Sequence, residues 1–151
     1  MKAIYVRSYN RVMATGPEDD MSWTGSLDKK LFRLLTTALK IVIVSKNCKD
    51  HLPKCMFDGV RLFKSVDRQT SLYSLKDYNT LYPDAALIGG PRFIRAALDE
   101  GVIDTVIETT IMDVLPSRPE YMAPDLKEKG FEKVAEIKFD DITIVKIWEK
   151  T

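Results

Sequence analysis

The sequence predicts an α/β protein: one domain over residues 1–151, with a mainly parallel central sheet, helices on both faces and an antiparallel C-terminal edge. Three observations carry this reading. Short β-type runs alternate with helical ones, as crossover connections between parallel strands require. The run Lys40-Ile41-Val42-Ile43-Val44 is apolar without alternation, as expected of a strand covered on both faces. The last two β-type runs are separated by Asp140-Asp141, a connection short enough for an antiparallel pair. A chain of 151 residues is long enough for one domain with a real core.

The elements follow in order. Ala3 to Val6 reads as a first strand. Residues 14–26 are rich in Gly, Pro, Asp and Ser and read as a long loop. Ser26 can cap a helix whose Leu27, Leu31, Leu34 and Leu35 fall at helical spacing. Lys40 to Val44 is the second strand and Arg61 to Ser65 a weaker third. Ser71 to Leu81 is a short helix. Ala85 to Ile88 is a buried strand that stops at Gly89-Gly90-Pro91. A helix follows over Arg92 to Glu100, with Gly101 as the residue beyond its end. Thr105 to Ile111, Val134 to Phe139 and Ile142 to Trp148 complete the strands.

Composition narrows the function. The chain is 45% hydrophobic and 30% charged, with 23 Lys plus Arg against 22 Asp plus Glu, for a net charge of +1. That balance gives no electrostatic basis for nucleic acid or an anionic membrane as main partner. Arg7 and Arg11 interrupt the N-terminal stretch where a secretory signal needs an apolar run. No apolar run approaches the roughly 20 residues of a membrane span. A cytoplasmic protein, monomer or homodimer, is expected. Cys48 and Cys55 fit no zinc pattern and read as free thiols. His51 is the single histidine, so no histidine triad or His-rich metal site can be built, and no metal is expected. Trp148 is expected to pack an edge strand. Lys127, Lys129, Lys133 and Lys138 alternate with acids like a solvated face.

Three features could carry chemistry. Asp28, Phe32 and Leu35 lie at i, i+4 and i+7, so a carboxylate shares a helix stripe with an aromatic. On spacing alone, the preferred reading of Asp28 is a solvated first-turn acid favoured by the helix dipole. Ile88-Gly89-Gly90-Pro91-Arg92-Phe93 runs from a strand into a helix start, where backbone N–H groups can approach a phosphate. A plain tight turn is the simpler reading. Ser45-Lys46-Asn47-Cys48 follows a strand with small polar and basic residues, and can be a phosphate site or a capped basic turn.

Together and in this order, these features resemble the dihydrofolate reductase family over nearly the whole chain. Trp23, Asp28, Phe32 and Thr36 reproduce the spacing of that family's substrate helix. Met21 matches its loop over the nicotinamide. Asn10-Arg11-Val12-Met13-Ala14 matches the segment after its first strand, and Ile88-Gly89-Gly90 its cofactor turn. Val102-Ile103-Asp104 through Thr109 resembles the strand whose threonine supports the acid. The chain departs from the family at Ser45-Lys46-Asn47-Cys48, where Gly-Arg-x-Thr usually holds the cofactor phosphates. It is also similar, in Gly89-Gly90-Pro91-Arg92-Phe93 and Gly101-Val102-Ile103-Asp104, to the reductase domain of riboflavin biosynthesis.

The resemblance implies NADPH as cofactor and reduction of dihydrofolate to tetrahydrofolate. It implies Asp28 and Trp23 as catalytic residues, with Trp23 holding an ordered water. Val6, Phe32, Leu52, Arg61 and Thr109 would meet the substrate, Arg61 gripping its carboxylate tail. Ala14, Met21, Ser45, Lys46, Asn47, Cys48, Ile88, Gly89, Gly90, Pro91, Arg92 and Phe93 would meet the cofactor. Ser65 and Arg68, expected after the third strand, would meet its adenosine 2′-phosphate. A riboflavin-type pyrimidine reductase, or a domain of this fold that has lost catalysis, are the alternatives.

Overall fold

The computed structural model describes residues 1–70 and 72–151; Ser71, where the expected short helix was to begin, lies outside the described residues. Seven strands form one sheet: β1 (Lys2–Ser8), β2 (Ile41–Ser45), β3 (Leu62–Val66), β4 (Ala86–Gly89), β5 (Thr105–Ile111), β6 (Phe131–Lys138) and β7 (Thr143–Lys150). Their order is β3-β2-β4-β1-β5-β7-β6. The first five are parallel to one another, and β7 pairs antiparallel with both β5 and β6 to close the sheet. This is the expected α/β arrangement with an antiparallel C-terminal edge.

Four α-helices accompany the sheet: α1 (Gly25–Leu39), α2 (Lys46–Lys49), α3 (Leu75–Leu81) and α4 (Pro91–Asp99). Parallel register puts paired residues on the same side, so Ala3, Ile43, Leu87 and Val106 share one face. That face packs in one cluster with Leu75 of α3 and with Phe93, Ile94, Ala97 and Leu98 of α4. On the other face Ile4, Val42, Val44 and Ala86 are buried, and α1 packs against β1 and β2. Crossovers on opposite sides produce this arrangement: α1 carries the chain from β1 to β2 on one side, while α3 and α4 lead from β3 to β4 and from β4 to β5 on the other. The unbroken run Val42-Ile43-Val44 is completely inaccessible, as a strand covered on both faces should be.

Several boundaries differ from expectation for identifiable reasons. Lys40 ends α1 rather than starting β2, with its N–H on the Thr36 carbonyl at 2.9 Å. Ser26 does not cap α1. The helix begins two residues earlier, at Gly25 with Thr24 as its N-cap, because Gly25 takes φ 80° and lets a short 3₁₀ turn (Ser22–Thr24) pass directly into it. Leu34 is exposed, standing roughly 120° around the helix from Asp28 at 3.6 residues per turn. Ser65 lies inside β3, as the strand boundary predicted and contrary to its expected place beyond the strand in the cofactor site, and is exposed. Trp148 sits on β7, one strand in from the edge, and is buried in the main cluster. Phe139 falls outside β6, which instead begins at the buried Phe131. The α4 terminus is as expected: Gly101 has φ 73°, and Gly101 and Val102 donate back to Leu98 and Ala97. Among the described residues, no helix is long and apolar enough to cross a membrane.

Candidate active site

β1 and β4 are adjacent and parallel, yet the chain leaves them toward opposite faces of the sheet. In open α/β sheets a crevice opens at such a point, beyond the carboxyl ends of the strands, and ligands bind there. The segments at this edge are the loop after Ser8, the turn at Gly89-Gly90 and the start of α2 after Ser45. Val6 and Thr109 are register partners on β1 and β5, on the face that α1 covers. Val6 is half-buried and Thr109 buried.

Asp28 is buried in the first turn of α1, 8% exposed, which removes the reading of a solvated surface acid. Burial pushes its pKa above the ordinary 3.8, with Thr24 hydrogen bonding and the Lys29 ammonium pulling the other way. Phe32 and Leu35 on the same stripe are half-buried, and Thr36 is inaccessible. The Asp28 stripe is therefore the inward face of the helix.

The loop before α1 is built on a second carboxylate. Asp19 accepts from the Thr15 N–H at 2.8 Å, the Met21 N–H at 2.7 Å and the Trp23 indole N–H at 3.0 Å. Met21 takes φ 61°, and its carbonyl accepts from the Thr24 hydroxyl and the Lys29 ammonium, each at 3.0 Å. Lys29 also donates to the Thr24 hydroxyl at 2.9 Å. One consequence corrects the expectation for Trp23. Indole has a single N–H, and Asp19 holds it, so here Trp23 offers its half-buried ring rather than a donor for an ordered water.

The glycine turn leads into an open helix start. Gly89 has φ 137°, and the Gly89–Gly90 peptide is cis. Gly90 is the N-cap of α4 and offers no side-chain cap, so the first N–H groups of a nine-residue helix face outward. A Cβ placed on Gly90 would meet nothing within 4 Å. Ile88 and Pro91 are half-buried and Arg92 exposed. Phe93 belongs to the hydrophobic cluster, so only its backbone is available to a ligand.

At the end of β2, the Ser45 hydroxyl caps α2 by accepting from the Cys48 N–H at 3.3 Å. Lys46 is exposed, with its ammonium 3.7 Å from Asp67. Asn47 is exposed, and burial pushes the Cys48 thiol up. Arg68 lies beyond β3 as expected and pairs with Glu100 at 3.1 Å across the surface. Leu52 and Ala14 are half-buried in their loops. Arg61 is not a free anion grip: its side chain is 2% exposed, with Nη1 on the Thr36 hydroxyl at 3.0 Å and Nε 3.2 Å from Asp58.

Sequence reasoning missed a buried polar group on the opposite face of the sheet. The Tyr5 hydroxyl donates to Glu108 at 2.7 Å, and Arg7 Nε lies 3.3 Å from the other Glu108 oxygen. Burial and the Glu108 charge hold the Tyr5 pKa far above its usual value. Lys146 faces Glu108 in register, and its pKa is lowered by burial first and then by Arg7. Alternation along Tyr5-Val6-Arg7 and Ile107-Glu108-Thr109 was the available signal. Two concavities lie apart from Asp28. One of about 320 Å³ is lined by Tyr9, Met112, Asp113 and Val114. One of about 150 Å³ is lined by Arg7, Arg11, Glu108, Trp148 and residues 124–127.

Compared with known proteins, the chain matches no protein-family model and no curated protein.

Proposed function

We propose that this protein is an NADPH-dependent reductase of a pterin ring, with 7,8-dihydrofolate as substrate and tetrahydrofolate as product. The observation that carries the reading is Asp28. A carboxyl buried on the inward stripe of α1, and shifted toward neutral pH, is an uncommon and costly thing to keep in a fold. Its position at the N-terminal end of α1, next to the Trp23 loop, fits an acid at the mouth of the crevice.

The chain has features that suit a dinucleotide. The uncapped start of α4 and the open space over Gly90 fit a pyrophosphate lying against backbone N–H groups. The exposed Lys46, turning from Asp67, would add a point charge at the start of α2, and Arg68, turning from Glu100, a guanidinium beyond β3. NADPH, when bound, supplies the hydride.

The protein's own part is binding and proton management. Asp28 would accept hydrogen bonds from the amino-pyrimidine edge of the pterin and hold it in one orientation. Its raised pKa suits a group that must favour protonation of the neighbouring ring nitrogen near neutral pH. Phe32, one turn further along the same stripe, would pack on the ring, and the Trp23 ring would close the entrance. Val6 and Thr109 would form the floor.

The test is NADPH oxidation followed at 340 nm with dihydrofolate, alongside titration of methotrexate. Dihydrofolate-dependent oxidation with methotrexate inhibition supports the reading. NADPH binding without turnover of dihydrofolate would point to a pyrimidine substrate, and no NADPH binding would point to a domain without this chemistry.

A further inference from the structure

The three hydrogen bonds that meet at Asp19 give that residue a role beyond loop structure. Two go to one oxygen, from the Thr15 N–H and the Trp23 indole, and one to the other oxygen, from the Met21 N–H. Both oxygens accept and neither donates, the pattern of an ionised carboxylate. Burial disfavours that state, yet the hydrogen bonds outweigh it and hold the Asp19 pKa below its usual range. Asp19 also reaches Asp28 through covalent and hydrogen-bonded neighbours. It fixes Met21, whose carbonyl holds the Thr24 hydroxyl and Lys29, and these are the two groups that act on the Asp28 carboxyl.

We propose that Asp19 is a positioning residue of the active site: its carboxylate fixes the Trp23 ring and the Met21 turn, and through them the surroundings of Asp28. The inference rests on the reading that Trp23 and Asp28 line the reacting pocket. It assigns no contact between Asp19 and substrate. Glu18 and Asp20, the acids on either side, cannot replace it. Both are exposed, and Asp20 makes only a local bond to the Ser22 N–H at 2.9 Å.

The test uses Asp19→Asn and Asp19→Ala, with two readouts. The first is the Trp23 indole N–H resonance, assigned with Trp23→Phe, and its protection from hydrogen exchange. An asparagine has one acceptor oxygen and one donor amide. It can keep the Met21 bond or the Thr15 and Trp23 pair, but not both. The second is the split between kcat and KM for dihydrofolate. The expected result is a shifted, unprotected indole signal in Asp19→Ala, with kcat lowered roughly ten- to a hundredfold by loss of orientation. Asp19→Asn should fall between it and the wild type. A Trp23 signal that stays put and protected in Asp19→Ala overturns the proposal, as does release of the indole with kcat unchanged. If the wild type does not turn over dihydrofolate, the functional reading fails by itself, and the indole signal still decides whether Asp19 fixes Trp23.

Discussion

Arg61 Nη1 donates to the Thr36 hydroxyl at 3.0 Å, and that hydroxyl donates in turn to the Phe32 carbonyl at 2.7 Å. Both side chains are buried, so the start of β3 is tied to the inward stripe of α1 by a bond that water does not reach. Thr36→Val keeps the shape of the side chain and removes the acceptor. It should destabilise the fold by about 1–3 kcal/mol, the cost of leaving a buried donor unsatisfied. Chemical denaturation with an unchanged m-value would show it, whereas wild-type stability would mean that Arg61 finds another partner.

Asp28→Asn should lower turnover at neutral pH by several orders of magnitude and raise stability at the same time. The sign follows from the direction of the pKa shift. In the unfolded chain Asp28 ionises near 3.8, and in the folded protein it holds its proton to higher pH. Between those values the folded state binds more protons, so its stability falls as pH rises. Asn removes that loss, on the order of 1.4 kcal/mol for each unit by which the pKa is raised. Melting curves should therefore show the variant above wild type at pH 7, with the gap closing as pH falls below the ordinary carboxylate range. A variant less stable than wild type at pH 7 would contradict the burial cost assigned to Asp28.

Gly90→Ala separates a structural turn from a ligand-binding one. Gly90 has φ −79° and open space where a Cβ would go, so stability should change by less than about 1 kcal/mol. The same methyl would occupy the open space that the proposed cofactor site needs over Gly90, and the thermal shift produced by NADPH should largely disappear. A full NADPH shift in the variant would remove the glycine turn from the cofactor site.

Glu108→Ala should cost about 3–5 kcal/mol, because it strands the mostly buried Arg7 and the Tyr5 hydroxyl beside Lys146. This group lies on the face opposite α1. Urea denaturation should record the loss, while the NADPH shift of the folded variant stays as in wild type. A reduced shift at equal stability would place Glu108 in communication with the crevice.

The sheet was legible wherever burial dictates residue type. Val42-Ile43-Val44 and Ala86-Leu87 are apolar because both faces are covered, and the hairpin between β6 and β7 shows in Asp140, whose side chain caps the turn at Ile142 and Thr143. The shared stripe of Asp28, Phe32 and Leu35 was legible from their spacing, but that it faces inward was not: spacing alone favoured a solvated Asp28, which is buried. Polar groups that find their partners far along the chain were not. The Arg61–Thr36 bond spans 25 residues and the Tyr5–Glu108 bond 103, and no local spacing announces either. The role of Asp19 was hidden for a different reason: in a run of Glu18-Asp19-Asp20, only geometry distinguishes the acid that turns inward.

The bulge in β6 sets the limit of the sheet. Between Lys133 and Ala135 the pairing with β7 slips, which breaks the regular line of N–H and C=O groups along the free edge. Lys133 and Lys138 add charge on the same strand, each paired with an acid three residues on. A second strand meeting this edge finds a template whose register is broken at Val134 and whose exposed Val134 and Ile137 are interleaved with Glu132, Lys133, Glu136 and Lys138. The strand β6 thus ends the ladder on its side of the sheet with a break in register rather than a continuation of it.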